Sequence, residues 1–140
     1  MEEPAKRILV IDDDPLVGES LRKLLRKLGY EVQIASIGLA ALDLASQEPF
    51  DLIITDIRIP GMDGLETLKA IRELRKNFKK PPFSEIVITA YEDEKVKEEA
   101  KRMGVRAFIL KPFEIEELVA SVERILCETK EESRESIDAV

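Results

Sequence analysis

The sequence contains no histidine and no tryptophan, and it has a single cysteine. Without histidine, the chain cannot build a Ser-His-Asp or Cys-His catalytic group or a histidine-ligated zinc site, and it has no phosphohistidine of its own. Acid–base chemistry would therefore fall to carboxylates, lysine or water. Cys127 has no partner for an internal disulfide, which is typical of proteins in a reducing cytoplasm. Because it lies in the last turn of a predicted apolar-faced helix, we expect Cys127 to pack rather than to react.

Long hydrophobic runs and an excess of positive charge are also lacking. No apolar run approaches the length of a membrane span, and residues 1–4 do not follow a signal-peptide pattern. The formal net charge of −7 argues against direct binding to nucleic acid, since phosphate contacts need clustered Lys and Arg. We therefore expect a cytoplasmic domain that contacts neither a membrane nor nucleic acid directly.

The sequence is rich in hydrophobic residues, at 44% of 140, which is enough for one domain with a proper core. Four of its apolar runs lead into reactive side chains. The runs are residues 8–11, 52–55, 86–88 and 108–110, and they lead into Asp12, Asp56, Thr89 and Lys111. Continuous apolar runs are typical of strands in a parallel sheet that helices cover on both faces. Because parallel strands end at one edge of the sheet, we expect these four side chains to converge there, where open α/β folds bind ligands.

Strand-like and helix-like segments alternate five times, which predicts a doubly wound α/β fold. The predicted strands are residues 8–11, 31–35, 51–55, a run from about 85, and 106–110. The predicted helices are residues 15–28, 39–47, 65–77, 94–103 and 115–127. The second strand alternates polar and apolar residues, so we expect it at an edge of the sheet. Asp14 precedes Pro15 as a plausible helix cap, and Gly61 and Gly64 allow positive φ or close backbone approach after the third strand.

The carboxylates at the strand ends predict a phosphoryl-transfer site. Asp12, Asp13 and Asp56 would repel one another, and a divalent cation such as Mg²⁺ resolves that conflict with oxygen ligands. Asp56 is then the candidate nucleophile, because a carboxylate attacks phosphorus when a metal and a cation offset the phosphoryl charge. Lys111 would supply the cation, and Thr89 a hydrogen-bond donor. Taken singly, Thr89 and Lys111 are also compatible with an ordinary strand-end hydroxyl and an exposed charge.

The chain resembles the receiver domains of two-component response regulators, the CheY-like superfamily. The matching segments are residues 8–15 (ILVIDDDP), 51–64 (DLIITDIRIPGMDG), 88–91 (ITAY) and 107–113 (AFILKPF). They stand in the family's order, and the similarity covers roughly residues 6–127. The resemblance implies a flavodoxin-like (βα)5 sandwich with a five-stranded parallel sheet of order 2-1-3-4-5. It also divides the chain into a receiver domain, residues 1–127, and a charged tail or start of a linker, residues 128–140.

The resemblance also implies a role for each matching residue. Asp56 corresponds to the phosphoaccepting aspartate, with Thr89 and Lys111 as the pair that binds the phosphoryl group. The Mg²⁺ ligands would be Asp56, Asp13 directly, Asp12 mainly through water, and the backbone carbonyl of Arg58.

Two further features follow from the same resemblance. Phe108 matches the switch aromatic, which turns inward when Thr89 moves toward the phosphoryl group. The resemblance also implies a cis Lys111–Pro112 bond.

In function, the resemblance implies a switch that is phosphorylated by a sensor histidine kinase or a histidine phosphotransfer protein. The domain would catalyse only its own phosphorylation and dephosphorylation, so it would not be a turnover enzyme. Phosphorylation would shift the face formed by the fourth helix, fifth strand and fifth helix, and it is compatible with a phosphorylation-dependent dimer.

Three points are left open by the sequence. The domain is either a stand-alone regulator or phosphorelay carrier, or the receiver part of a longer transcriptional regulator. A metal-dependent phosphohydrolase with an aspartyl-phosphate intermediate is an alternative, disfavoured because Arg58 stands where such enzymes carry an acid. We also hypothesise that Arg58 and Tyr91 limit water attack on the acyl phosphate.

Overall fold

The computed structural model describes residues 4–77, 83–90 and 92–127, which form strands and helices in strict alternation. The strands are β1 (Arg7–Ile11), β2 (Glu31–Ala35), β3 (Leu52–Asp56), β4 (Ser84–Thr89) and β5 (Ala107–Leu110). The helices are α1 (Pro15–Lys27), α2 (Gly38–Gln47), α3 (Gly64–Asn77), α4 (Glu94–Met103) and α5 (Ile115–Cys127). Each element agrees with its predicted range to within a residue or two.

The strands of the described residues form one parallel sheet in the order β2-β1-β3-β4-β5. This confirms the predicted doubly wound fold and its strand order. β2 lies at one edge, as its alternating pattern predicted, and β5 lies at the other. The register pairs Ile11 with Thr55 and Asp56 with Ile88, so the ends of β1, β3 and β4 lie side by side.

Two hydrophobic layers cover the two faces of the sheet. One lies beneath α1 and α5, and its buried residues include Val10, Ile54, Leu25 and Leu118. The other lies beneath α2, α3 and α4, and its buried residues include Ile11, Ile53, Leu68 and Ala100. Successive strand residues point to opposite faces, so both layers draw on the same short runs. This double coverage explains why the central strands are continuously apolar, since burying each large side chain contributes about 1.5–3 kcal/mol.

The first helix begins as its sequence predicted. The side chain of Asp14 accepts a hydrogen bond from the N–H of Leu16 at 3.0 Å, and Pro15 occupies the first helical position. The start of β3 differs slightly from the prediction. Asp51 precedes the strand, and its Oδ2 accepts a hydrogen bond from the N–H of Arg7 at 2.8 Å, which joins the first residue of β1 to the start of β3.

One packing prediction, that for Cys127, was wrong. Cys127 is exposed. The buried residues of α5 are Leu118, Val122 and Ile125, and a residue two positions after Ile125 lies about 200° further round the helix. The predictions for the tail at 128–140 and for Tyr91 concern residues outside the described ranges. Among the described helices, none has both the length and the apolar character needed to cross a membrane.

Candidate functional site

Side chains from three strand ends meet at the carboxyl edge of the sheet. Lys111, which follows β5, places its Nζ 2.6 Å from Oδ2 of Asp56, the last residue of β3. The same Nζ lies 3.5 Å from Oδ2 of Asp12, which follows β1. Asp12 is 5% exposed and Asp56 9% exposed. The predicted convergence of these three side chains is therefore present in the structure.

The Asp56 carboxylate is held at both oxygens. Oδ1 accepts a hydrogen bond from the N–H of Arg58 at 3.1 Å, and Oδ2 accepts the one from Lys111. Hydrogen bonds to an ionised carboxylate are about twice as strong as neutral ones, so this pair fixes the direction in which the side chain points. A buried carboxylate oriented in this way is compatible with the predicted role of Asp56 as a nucleophile.

Asp12 is tied to the backbone on either side of it. Its Oδ1 accepts a hydrogen bond from the N–H of Asp14 at 2.9 Å, and its own N–H donates to the carbonyl of Ala35 at 3.1 Å. Burial raises the pKa of Asp12, and the nearby charge of Asp56 adds to the rise, while the Asp14 hydrogen bond and Lys111 oppose it. The carboxylate is thus kept in a position where its negative charge is costly.

Lys111 carries the only ammonium that the described contacts bring to these two carboxylates. Its burial by itself would lower its pKa, but the hydrogen bond to Asp56 and the charges of Asp12 and Asp56 outweigh that effect, so the pKa is raised. Lys111 is therefore charged at neutral pH. Two carboxylates share one ammonium, and the cluster retains a net negative charge.

The remaining predicted residues lie around this cluster. Thr89 ends β4 and is buried, and its carbonyl accepts a hydrogen bond from the N–H of Lys111 at 2.8 Å. Asp13 directly follows Asp12 and is exposed, as is Arg58. Phe108 is half-buried against the layer beneath α2, α3 and α4. The Lys111–Pro112 peptide bond is cis, as the resemblance implied.

The donor set suits Mg²⁺ in its chemistry, although carboxylates alone do not complete a site. Among the described residues, no three His, Cys, Asp or Glu side chains are grouped closely enough to hold a metal ion. Mg²⁺, however, takes only one or two carboxylates, adds other oxygens and keeps several waters. Asp12 and Asp56 retain a net negative charge beside Lys111, and the exposed Asp13 and the backbone of Arg58 are next to them in the chain. The metal ligands named from the sequence remain a prediction.

The loop between β3 and α3 depends on its two glycines. Gly61 has a φ of +84°, a conformation that side chains disfavour. Gly64 approaches the backbone so closely that a Cβ there would lie 2.2 Å from the carbonyl oxygen of Asp56. Its N–H also donates to the carbonyl of Ile57 at 2.8 Å. Gly61 therefore has the predicted positive φ, and Gly64 the predicted close backbone approach. Gly64 packs α3 directly against the backbone of the candidate nucleophile.

One contact at the site was not foreseen from the sequence. The hydroxyl of Thr55 is fully buried and donates a hydrogen bond to the carbonyl of Asp56 at 2.9 Å. Thr55 was counted only as the end of an apolar run, because threonine is a common strand residue. The sequence did point to Thr55 in one way, because it has the single polar side chain in the strand segment Leu52–Thr55.

Comparison with known proteins identifies the family. A family model described as the response regulator receiver domain matches residues 8–123. The chain belongs to the response regulator receiver domain family. Receiver domains are signalling modules of two-component systems, so the resemblance noted from the four motifs is confirmed.

The receiver domain matches relatives of very different lengths. It is 35% identical over 121 residues to sporulation initiation phosphotransferase F of Bacillus subtilis, covering 86% of this chain and 94% of that protein. It is 36% identical over 132 residues to the transcriptional regulatory protein ZraR of Escherichia coli, covering 94% of this chain but 28% of ZraR. The chain thus spans almost all of one relative and less than a third of the other.

Solved receiver structures share the fold. A CheY-like receiver domain protein from Methanospirillum hungatei superposes with a TM-score of 0.80 at 30% identity, covering 94% of this chain and 98% of that one. The receiver domain of the sensor histidine kinase PA1611 from Pseudomonas aeruginosa gives a TM-score of 0.75 at 27% identity, covering 89% and 99%. In that structure a magnesium ion is coordinated in the active-site cleft.

Proposed function

We propose that this receiver domain accepts a phosphoryl group on Asp56 from the phosphohistidine of a partner histidine kinase or histidine phosphotransfer protein. The observation that carries the proposal is the Asp56 carboxylate, which lies 2.6 Å from the Lys111 ammonium and is fixed by the Arg58 N–H. Membership of the receiver family supports it. These 140 residues contain no histidine, so the donor histidine lies outside them.

In the transfer step a carboxylate oxygen of Asp56 attacks phosphorus as the P–N bond of the donor breaks. The electron pair of that bond stays on the imidazole nitrogen, and the ring leaves as neutral imidazole because its other nitrogen keeps its proton. Lys111 stabilises the negative charge on the phosphoryl oxygens, and the Thr89 hydroxyl donates a hydrogen bond to one of them. Asp12, Asp13, Asp56 and the Arg58 carbonyl would hold Mg²⁺, which supplies charge neutralisation when bound.

The signal would leave the site through β4 and β5. The hydrogen bond from the Lys111 N–H to the Thr89 carbonyl already joins the ends of these two strands. The new phosphoryl oxygens draw the Thr89 hydroxyl and the Lys111 ammonium toward Asp56. Phe108, which is half-buried against the layer beneath α2, α3 and α4, then adjusts its packing. The outcome is a shift between two states of the α4–β5–α5 face.

Two arrangements of this function follow from the relatives. A domain that spans 94% of a phosphotransferase fits a phosphorelay carrier, whereas one that spans 28% of a transcriptional regulator fits the receiver part of a longer protein. In both, the domain modifies only itself and works in the cytoplasm with its kinase. Neither arrangement changes the chemistry proposed for Asp56.

Intact-mass spectrometry after incubation with acetyl phosphate and Mg²⁺ tests the proposal. We expect one phosphoryl adduct on the wild type, and none on Asp56→Asn or after addition of EDTA. Asp63→Asn is the matched control, because Asp63 is an exposed aspartate of the same loop whose side chain accepts from the N–H of Glu66. Asparagine retains that helix cap, so Asp63→Asn should be phosphorylated like the wild type.

An adduct that persists in Asp56→Asn would overturn the assignment of the phosphoacceptor. An adduct that persists in EDTA would overturn the metal requirement. If acetyl phosphate gives no adduct, phosphohistidine on a kinase or phosphotransfer protein is the next donor. Failure with that donor too would overturn the proposed function.

A further inference from the structure

Thr55 places a hydroxyl between apolar neighbours on the adjacent strands. It is fully buried, and its neighbours in register are Ile11 on β1 and Val87 on β4. Both neighbours belong to the layer beneath α2, α3 and α4, so Thr55 faces that layer as well. Burying a hydroxyl costs free energy unless it is hydrogen-bonded, and valine would fill the same space without that cost.

The Thr55 hydroxyl donates its hydrogen bond to the carbonyl of the next residue, Asp56, at 2.9 Å. The same carbonyl oxygen is confined on another side by Gly64, where any Cβ would stand 2.2 Å away. At the other end of this peptide group, the N–H of Ile57 donates to the carbonyl of Ile88 at 3.2 Å. The Asp56–Ile57 peptide is thus held at both its oxygen and its nitrogen.

This peptide determines the geometry of the reacting carboxylate. It joins the residue that bears the carboxylate to the turn whose next N–H, that of Arg58, binds Asp56 Oδ1. A rotation of the peptide plane would move the Arg58 N–H and carbonyl relative to the carboxylate. Displacements well below the length of a bond are enough to slow a positioned reaction.

We propose that Thr55 is a positioning residue for phosphoryl transfer, acting through the buried hydrogen bond from its hydroxyl to the Asp56 carbonyl. It does not touch the phosphoryl group. The inference rests on the proposed function of Asp56, and it adds a residue inside the strand to a site otherwise built from strand ends and loops. Losing one neutral hydrogen bond of this kind should slow transfer about fivefold to tenfold.

Two substitutions separate positioning from packing. Thr55→Val removes the hydroxyl and keeps the β-branched shape, whereas Thr55→Ser keeps the hydroxyl and removes the methyl group. Thr67→Val is the matched control, because Thr67 is equally buried and its hydroxyl donates to the Asp63 carbonyl at 2.8 Å, away from Asp56. The measurements are the maximal rate of phosphorylation by acetyl phosphate at saturating Mg²⁺, the urea midpoint, and the ¹⁵N–¹H shift of the Arg58 amide.

We expect Thr55→Val to unfold near the wild-type urea midpoint, since removing the buried hydroxyl and removing a partner of the Asp56 carbonyl have opposite effects on stability. It should react about fivefold to tenfold more slowly and shift the Arg58 amide. Thr55→Ser should be less stable yet react within about twofold of the wild type, since its hydroxyl remains. Thr67→Val should react at the wild-type rate.

Wild-type speed in Thr55→Val, or equal slowing in Thr55→Ser, overturns the inference and leaves the proposed function standing. A folded wild type that takes a phosphoryl group from no donor overturns both.

Discussion

The two ends of the sheet both bury charge, but they balance it differently. At the amino end, the guanidinium of Arg72 on α3 pairs with both carboxylate oxygens of Glu85 on β4, with Nε 2.8 Å from Oε2. Arg7 on β1 pairs with Glu48 at 2.8 Å. At the carboxyl end, Asp12 and Asp56 share the single ammonium of Lys111. One end matches opposite charges, and the other holds an excess of negative charge.

This difference separates a structural arrangement from a functional one. In a matched pair, the charge of each partner offsets part of the cost of removing the other from water. Two buried carboxylates beside one cation are less favourable, and such clusters are typical of sites that bind a ligand or carry out chemistry. Substitutions at the amino end should therefore change folding stability, whereas those at the carboxyl end should change phosphorylation.

The largest effect on this comparison should come from Lys111→Met at the carboxyl end. The substitution keeps the approximate length of the side chain but removes the charge that we propose stabilises the phosphoryl oxygens. By analogy with the loss of one oxyanion donor, we expect the phosphorylation rate to fall about a hundredfold to a thousandfold. Time-resolved intact-mass spectrometry with acetyl phosphate measures the rate.

Lys97→Met is the matched control, because Lys97 is an exposed lysine on α4. It should be phosphorylated at the wild-type rate. If Lys111→Met reacts as fast as this control, the ammonium has no part in the transfer. The expectation that substitutions at the carboxyl end of the sheet change phosphorylation would then be contradicted.

The next effect concerns the amino end. Arg72→Met leaves the carboxylate of Glu85, which is 2% exposed, without its partner. Because the Arg72 side chain is 36% exposed, losing this partner should reduce the free energy of unfolding by about 2–3 kcal/mol at pH 7, less than for a fully buried pair, as measured by urea denaturation. The phosphorylation rate should not change, since the pair lies at the opposite end of β4 from Thr89.

The loss in Arg72→Met should depend on pH with a definite sign. Burial raises the pKa of Glu85, and Arg72 partly opposes that rise. Ionisation of Glu85 therefore opposes folding, so its contribution is most favourable below the unfolded-state pKa and is lost as the pH rises through the folded-state value. Removing Arg72 raises the folded-state pKa further, which widens the gap to the wild type with rising pH. A gap that stays constant from about pH 4 to pH 7 would contradict this explanation.

Much of the carboxyl end could be predicted because parallel strands impose a common edge. Once the apolar runs were recognised as buried strands, Asp12, Asp56 and Lys111 had to meet there. The position of the ammonium between two carboxylates depends on side-chain torsions and on the turn after β5, which no local pattern encodes. Thr55 was overlooked for a related reason, since its hydroxyl acts within a strand that its β-propensity already explained. Cys127 was misjudged because only its place in the last turn was considered, whereas its angle on the helix lies about 200° from that of the buried Ile125.

Gly64→Ala should have a smaller effect, and it should change both the folding stability and the phosphorylation rate. The new Cβ would meet the Asp56 carbonyl, a backbone atom that has little freedom to move. We expect a loss of about 1–3 kcal/mol in the free energy of unfolding, together with slower phosphorylation, because the strain acts directly on the peptide group of Asp56, the proposed phosphoacceptor. Gly61→Ala is the control, since a Cβ there meets no atom within 4 Å and only the positive φ is penalised. Equal phosphorylation rates in both variants would show that the close approach of Gly64 to Asp56 does not affect phosphorylation.

The smallest effect is expected far from both buried clusters. Lys69 on α3 forms an ion pair with Glu99 on α4, and both side chains are substantially exposed. Exposed pairs typically contribute well under 1 kcal/mol because water and salt screen them and both side chains lose conformational freedom. Lys69→Ala should therefore shift the free energy of unfolding by about 0.5 kcal/mol or less, with an unchanged phosphorylation rate. A loss as large as that of Arg72→Met would mean that charge pairing, rather than burial, determines stability in this protein, and the contrast between the two ends of the sheet would lose its basis.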